Sequence, residues 1–333
     1  MPPAPIRRPL TITTWIVISV VVLVGSPLLL VLGLVASAVR RRREPLLWAR
    51  FLIAYCAREL AVLVACGALW LWSGFGVRMR TARFQQLHYR LLGWFLHSLS
   101  ARALDLLGVG VAPGRSPEAE EALCQDQPLL FFSRHAGPGD TLLIVDRLLT
   151  EYNRLPRVVF KDALTLDPCL DLIGYRLPNA VLDTSEREES ERRIEEVTSG
   201  LPPRGVLMLF PEGGNYSPRR RRRALRKLWQ KRRRREAQAA ERMENVMPPH
   251  PTGALAALRS RPEADVVFAA HTGLGLAATA AELWRKLPTG RTLKSRMWLA
   301  PASERPRDPD EQVKWLYGWW KRLDEWIELQ GEE

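Results

Sequence analysis

The stretch Ser133-Arg134-His135-Ala136-Gly137-Pro138-Gly139-Asp140 places an imidazole five residues before a carboxylate, in a segment rich in glycine and proline. An imidazole can take up and return a proton near neutral pH, and a carboxylate that accepts from one ring nitrogen leaves the other free to do so. Gly137-Pro138-Gly139 can fold Asp140 back toward His135, and Asp140 also falls where a helix N-cap belongs. The two would form the base and orienter of a catalytic triad without a protein nucleophile, so the substrate would have to bring its own hydroxyl. Taken alone, the spacing reads by default as a hydrogen-bonded loop histidine. A second element changes that reading.

For the two side chains to meet, regular elements must hold the turn between them. Pro128-Leu129-Leu130-Phe131-Phe132, directly upstream, is a short apolar run and predicts a strand, and residues 141–149 predict a helix. Similar strands are expected at 157–160, 180–182, 206–210 and 266–270, with a weaker one at 297–299 and a charged surface helix at 186–197. Short apolar strands separated by helices imply an α/β fold with a central sheet covered by helices on both faces. Val313, Leu316, Trp319, Trp320, Leu323, Trp326 and Ile327 recur at three- and four-residue spacing, which predicts an amphipathic helix that docks on this domain.

The strand at 206–210 runs into Phe210-Pro211-Glu212-Gly213-Gly214, again an apolar strand opening into a glycine turn where backbone N–H groups can approach a ligand. The two turns together resemble the glycerolipid acyltransferase family, best known for the 1-acylglycerol-3-phosphate acyltransferases, which is marked by His-x-x-x-x-Asp and Phe-Pro-Glu-Gly. Here these motifs stand as His135 to Asp140 and Phe210 to Gly213, in the family's order and separation. Lys161-Asp162-Ala163-Leu164 with Pro168 and Gly174 resembles the middle motif, with a longer gap between proline and glycine, and residues 266–270 occupy the place of the last. The resemblance covers roughly residues 125–275 and implies an α/β fold of the acyltransferase type.

It implies that His135 is the general base and Asp140 its orienter, in transfer of an acyl group from acyl-CoA or acyl carrier protein to a lysophospholipid, foremost 1-acylglycerol-3-phosphate. No further cofactor is implied. Phe210, Pro211, Glu212, Gly213, Gly214 and Asn215 would line the acceptor site, and Lys161 or Arg134 would meet a phosphate. The family usually continues its third motif with Thr-Arg-Ser, whereas this chain reads Gly214-Asn215-Tyr216-Ser217. The expected cation is missing, which leaves Arg219 as a substitute or points to another lysophospholipid or a glycolipid as acceptor. A catalytically inactive membrane-surface or nucleic-acid-binding protein is the alternative from a different class.

The chain has 333 residues, 47% of them hydrophobic and 26% charged, which excludes a disordered or collagen-like polypeptide. Cys56, Cys66, Cys124 and Cys169 form no close pair, so neither a disulfide framework nor a zinc site is expected. Residues 10–39 carry no charge; as one helix they would run about 45 Å against a hydrocarbon core of roughly 30 Å. Gly25-Ser26-Pro27 predicts a break into two halves of about 20 Å, each too short to span and together suited to a re-entrant hairpin. Arg7-Arg8 and Arg40 to Arg43 would then share the cytoplasmic face, and the same arginines argue against cleavage at Ala36-Ser37-Ala38. A second apolar stretch at 51–77 reads equally as a core helix or a second membrane helix. The expected organisation is an N-terminal helical membrane anchor over 1–100 and a catalytic domain over 101–333, facing the cytoplasm.

Residues 219–235 hold twelve Arg or Lys and no acid, so the formal net charge of +13 lies almost wholly in one cassette within an insertion at about 218–250. With Leu225, Leu228 and Trp229 on one helical side, this helix is expected to lie on anionic membrane lipids; nucleic acid is not the expected partner. The remaining histidines, His88, His97, His250 and His271, read as structural.

Overall fold

Apolar runs of two lengths shape the molecule: long ones become helices near the N-terminus, short ones become strands. The computed structural model describes residues 3–331 apart from 115, 138, 183–186, 274–289 and 291. Among the described residues it contains twelve α-helices and one mixed sheet of seven strands. The chain divides into two units, one built mainly on Met1–Val109 and Phe160–Val181, the other on Gly110–Val159, Leu182–Lys286 and Arg291–Glu333. The first unit thus takes in a segment, 160–181, that the expected division at residue 100 assigned to the catalytic domain.

In the first unit, α1 (Ala4–Val24), α2 (Ser26–Arg40) and α3 (Glu44–Trp72) follow one another, with α4 (Ala82–Leu107) after them. The break falls at Gly25, as Gly-Ser-Pro predicts. The halves are unequal, however: α1 recruits Arg7, Arg8 and Pro9 and has 21 residues, about 32 Å, which is enough to cross a bilayer. Both α1 and α3 are long and apolar enough to span, and only 11% and 28% of their most apolar windows are buried. Val21, Val24, Val31, Val35, Val64 and Leu71 are among the side chains left exposed, more apolar surface than a water-facing bundle leaves bare. The N-terminal arginines do not simply flank the helix. Arg7 Nη2 and Arg8 Nε donate to the two oxygens of buried Asp171, at 2.8 and 2.9 Å, clamping α1 to α7 (Pro168–Arg176). Gly174 in α7 stands where a Cβ would come within 2.8 Å of the Phe160 ring, so only glycine permits that packing.

The strands are β1 (Gly110–Pro113), β2 (Leu129–Ser133), β3 (Leu155–Lys161), β4 (Ala180–Leu182), β5 (Gly205–Leu209), β6 (Val266–Thr272) and β7 (Thr292–Ala300), in the sheet order β1-β7-β6-β2-β5-β3-β4. Pairings are parallel between β2 and β5, β2 and β6, β3 and β5, and β1 and β7, while β6 and β7 run antiparallel. Every residue of β2, β5 and β6 is buried, which is why these strands read as unbroken apolar runs. β7 is longer than the expected 297–299 because its first half, Thr292 to Arg296, is polar apart from Leu293 and gives no apolar run to read; β1, short and exposed at the edge, has no apolar signature.

The second unit's other helices are α5 (Pro117–Cys124), α6 (Asp140–Thr150), α8 (Arg187–Ser199), α9 (Pro218–Gln230), α10 (Arg234–Glu241), α11 (Pro251–Ser260) and α12 (Pro309–Leu329). Residue 186, at the head of the helix expected at 186–197, lies outside the described residues. Helix α12 docks as its spacing predicts: Leu316, Trp320, Leu323, Trp326 and Ile327 are buried, and Trp319 stacks on Phe268 of β6 at 4.6 Å. The cassette departs from expectation. Leu225 and Leu228 of α9 pack against the unit's own core, so these two leucines are not free to enter a membrane, while Trp229 donates to Glu241 of α10 and stays exposed. Its cations face outward instead, Arg221 excepted, which donates to the Met243, Ala240 and Glu241 carbonyls.

Candidate active site

Three adjacent strands bring the chemistry together. β2 lies between β5 and β6, all three parallel, so the turns leaving their C-terminal ends open at the same end of the sheet. The pairing Phe132↔Leu209 brings Phe210 next to the end of β2, and Ser133↔Ala269 places His135 and His271, each two residues further on, at one level.

His135 Nδ1 lies 3.1 Å from Asp140 Oδ2. Asp140 is the first residue of α6 rather than its cap; Gly139 holds the N-cap position, and the carboxylate turns back to accept from Ala136 N at 2.5 Å and Gly137 N at 2.8 Å. Residue 138 of this turn lies outside the described residues. Asp140 is fully buried. Burial opposes its charge, but the neighbouring His271, the His135 ring and the Gly137 N–H outweigh it and hold the carboxyl well below the ordinary range. Such an Asp stays ionised and keeps a proton on His135 Nδ1, leaving Nε2 as the basic atom. The His135 side chain is 18% exposed and Asp140 not at all, so only the imidazole of this pair can meet a substrate.

Phe210 stacks on the His135 ring, centroids 4.3 Å apart and planes 23° from parallel, fixing the ring's tilt. Pro211 is buried and its carbonyl accepts from His250 N at 2.7 Å. Gly213 adopts φ +68°, and a Cβ there would come within 3.1 Å of the His250 ring, so the turn demands glycine twice over. Glu212 is 2% exposed and therefore sits beneath the turn rather than at its surface. Its Oε1 accepts from Trp320 Nε1 at 3.3 Å, while Oε2 has no hydrogen-bond partner. Burial pushes its carboxyl up to about 8 against the pull of the Arg134 guanidinium, so it is mostly protonated at neutral pH and can donate. Gly214 and Asn215 are half-buried and lead to Tyr216, whose N–H donates to His135 O at 2.7 Å; the segment therefore runs along the His135 backbone.

The cations are arranged differently from expectation. Arg134 is 6% exposed, and its Nη1 and Nη2 donate to His271 O at 2.7 Å and Asn245 O at 3.0 Å. It ties the turn after β2 to the end of β6 and to the segment between α10 and α11, which turns both of these donors away from the phosphate contact expected of it. Lys161 is the last residue of β3 and belongs to the first unit. Arg219 is exposed in the first turn of α9.

Two residues of the site carry no local sequence signal for their role. Trp320 was legible only as part of an apolar stripe, and its N–H is what meets Glu212. His271 was read as structural, yet its Nε2 lies 3.5 Å from Asp140 Oδ2. Asp140 and His271 line a mostly apolar cavity of about 70 Å³ with Phe131, Leu143, Ile144 and Leu293. Ligand pockets usually run to about 300–1,000 Å³, so this space is large enough only for a small group. In the first unit, Glu59, Asp167 and Cys169 bring carboxylate and thiol ligand atoms within 4.8 Å of one another, a grouping that the sequence spacing gave no reason to expect.

No family model, curated protein or solved structure matches the chain.

Proposed function

We propose that the protein is a membrane-attached O-acyltransferase that moves an acyl group from acyl-CoA, or acyl carrier protein, to the hydroxyl of a lysophospholipid. The observation that carries this reading is the His135 Nδ1 to Asp140 Oδ2 contact of 3.1 Å with Phe210 stacked on the imidazole, a base with one oriented nitrogen and, among the described residues, no side chain bonded to the other. His135 Nε2 takes the proton of the acceptor hydroxyl as its oxygen attacks the thioester carbonyl. Collapse of the tetrahedral adduct breaks the C–S bond, and the imidazolium returns the proton to the departing thiolate, giving an ester and a free thiol. Asp140 stabilises the imidazolium between these steps, and neutral Glu212, held by Trp320, supports the turn that shapes the acceptor side.

The exposed apolar sides of α1 to α3 support membrane attachment, and the outward cations of α9 support contact with anionic lipids on the cytoplasmic face. The acceptor expected first is 1-acylglycerol-3-phosphate. Commitment of Arg134 to two carbonyls, with Gly214 and Asn215 where the family carries threonine and arginine, favours a second reading in which the acceptor is another lysophospholipid or a glycolipid. The test is to incubate the purified chain in detergent with labelled acyl-CoA and a panel of lysolipids and to identify products by mass spectrometry. Acylated product is expected, falling by about 10²- to 10⁴-fold in His135→Ala. An undiminished rate in that variant overturns the mechanism.

A further inference from the structure

Asp140 has more neighbours than a base and its orienter require. His271 is 4% exposed, neither of its ring nitrogens has a hydrogen-bond partner, and Asp140 Oδ1 has none either. Unpaired polar atoms are costly in an interior, and here a potential donor and an acceptor lie side by side, with His271 Nε2 3.5 Å from the other oxygen of the same carboxylate. The backbone fixes this proximity. His271 O accepts from Arg134 Nη1 and Arg134 N donates to Ala269 O, so β6 is pinned to the His135 turn on both sides of residue 270.

We propose that His271 is a positioning residue of this site, aiming Nε2–H at the Asp140 carboxylate, so that the working unit is His135–Asp140–His271 rather than a pair. The inference rests on the acyl-transfer reading for its purpose, though not for its geometry. Ala136 N, Gly137 N and His135 Nδ1 all converge on Oδ2. His271, 3.5 Å from that oxygen on the β6 side, packs against the carboxylate and is placed to hold it in this orientation when His135 becomes imidazolium. Among the described residues that line the cavity with His271 or bond to it or to Asp140, the charged and titratable groups are Asp140 and Arg147 of α6, Tyr152 just beyond it, Arg134 and His135 after β2 and Arg296 of β7. Among them Asp140 is the one carboxylate.

The chain has five histidines, which makes the test spectroscopic. In the full chain labelled with ¹⁵N-histidine in detergent micelles, two-bond nitrogen–proton correlations show which ring nitrogen carries the proton, with His135 assigned from the His135→Gln spectrum. A free imidazole favours the proton on Nε2, whereas His135 must hold it on Nδ1 to reach Asp140. Wild type and His271→Gln, whose amide nitrogen reaches about as far as Nε2, are expected to keep His135 protonated on Nδ1. His271→Leu is expected to release it to a mixture with the Nε2 form. Should the leucine variant fail to fold, His271→Asn, too short to reach the carboxylate, serves the same comparison. In acyl transfer, the leucine variant is expected to lose about tenfold or more in kcat at unchanged KM, with the glutamine variant close to wild type. An unmoved His135 tautomer in the leucine or asparagine variant overturns the proposal, whatever the turnover. Absence of turnover in wild type overturns the acyl-transfer reading instead and leaves the tautomer comparison to decide on His271.

Discussion

At the residue scale the site sets two buried carboxyls in opposite protonation states on neighbouring turns. Asp140 is surrounded by donors and stays charged; at Glu212 burial outweighs the Arg134 guanidinium and the N–H groups of His135 and Trp320, and the carboxyl rises to about 8. Linkage gives each a separate signature. A carboxyl whose folded value is raised binds more protons folded than unfolded, so Glu212 takes stability away as pH climbs from about 4.3 toward 8. In thermal melts, Glu212→Gln, which can still accept from Trp320, is expected to flatten that decline and to melt above wild type at pH 8. A steeper decline would contradict a protonated Glu212. Asp140 has the opposite sign: its contribution is complete above the unfolded value of about 3.9 and is lost only as pH falls through the lower folded value. Asp140→Asn is therefore expected to melt below wild type at pH 7, with the gap closing only below about pH 4.

At the element scale, α9 and α1 show one principle: an amphipathic or charged helix is defined by what it packs on. The leucines of α9 serve the protein core and its arginines serve solvent, so lipid contact and folding should separate. Leu228→Ala is expected to cost about 2 kcal/mol in denaturant titration and to leave liposome binding intact. Glutamine in place of Arg222, Arg223 and Arg226 is expected to weaken sedimentation with anionic vesicles, and the residual binding should respond less to salt. Equal binding by both proteins at every ionic strength would remove the cassette from membrane attachment. In α1, Arg7 and Arg8 share a buried carboxylate, and Arg7→Ala, which leaves Asp171 with Arg8 alone, is expected to destabilise the first unit by about 1.5 kcal/mol, the worth of one hydrogen bond to a charged group.

At the scale of the whole molecule, two long apolar helices with bare apolar sides accompany an α/β sheet whose core is its own. The full chain is expected to remain with membranes through high salt and alkaline carbonate and to be released by detergent; release by carbonate alone would mean peripheral attachment. Much of this was legible in the sequence, because β2, β5 and β6 are buried on both faces and must be continuously apolar, Gly25-Ser26-Pro27 cannot continue a helix smoothly, and α12 shows its packing stripe at helical spacing. His135, Asp140 and Phe210 were legible as well, since each lies within a few residues of a strand end that patterning locates. What the sequence left open depended on strand order and on partners distant along the chain. Nothing local says that β6 lies beside β2, so nothing local separates His271 from a core histidine. A basic helix does not reveal which way its leucines turn, and Arg134, read as a cation for a phosphate, is held by two carbonyls more than a hundred residues away. Local patterning fixes where strands and turns begin because it is a property of adjacent residues; which side chains share a carboxylate is set by the folded sheet, where neighbours in space are not neighbours in the chain.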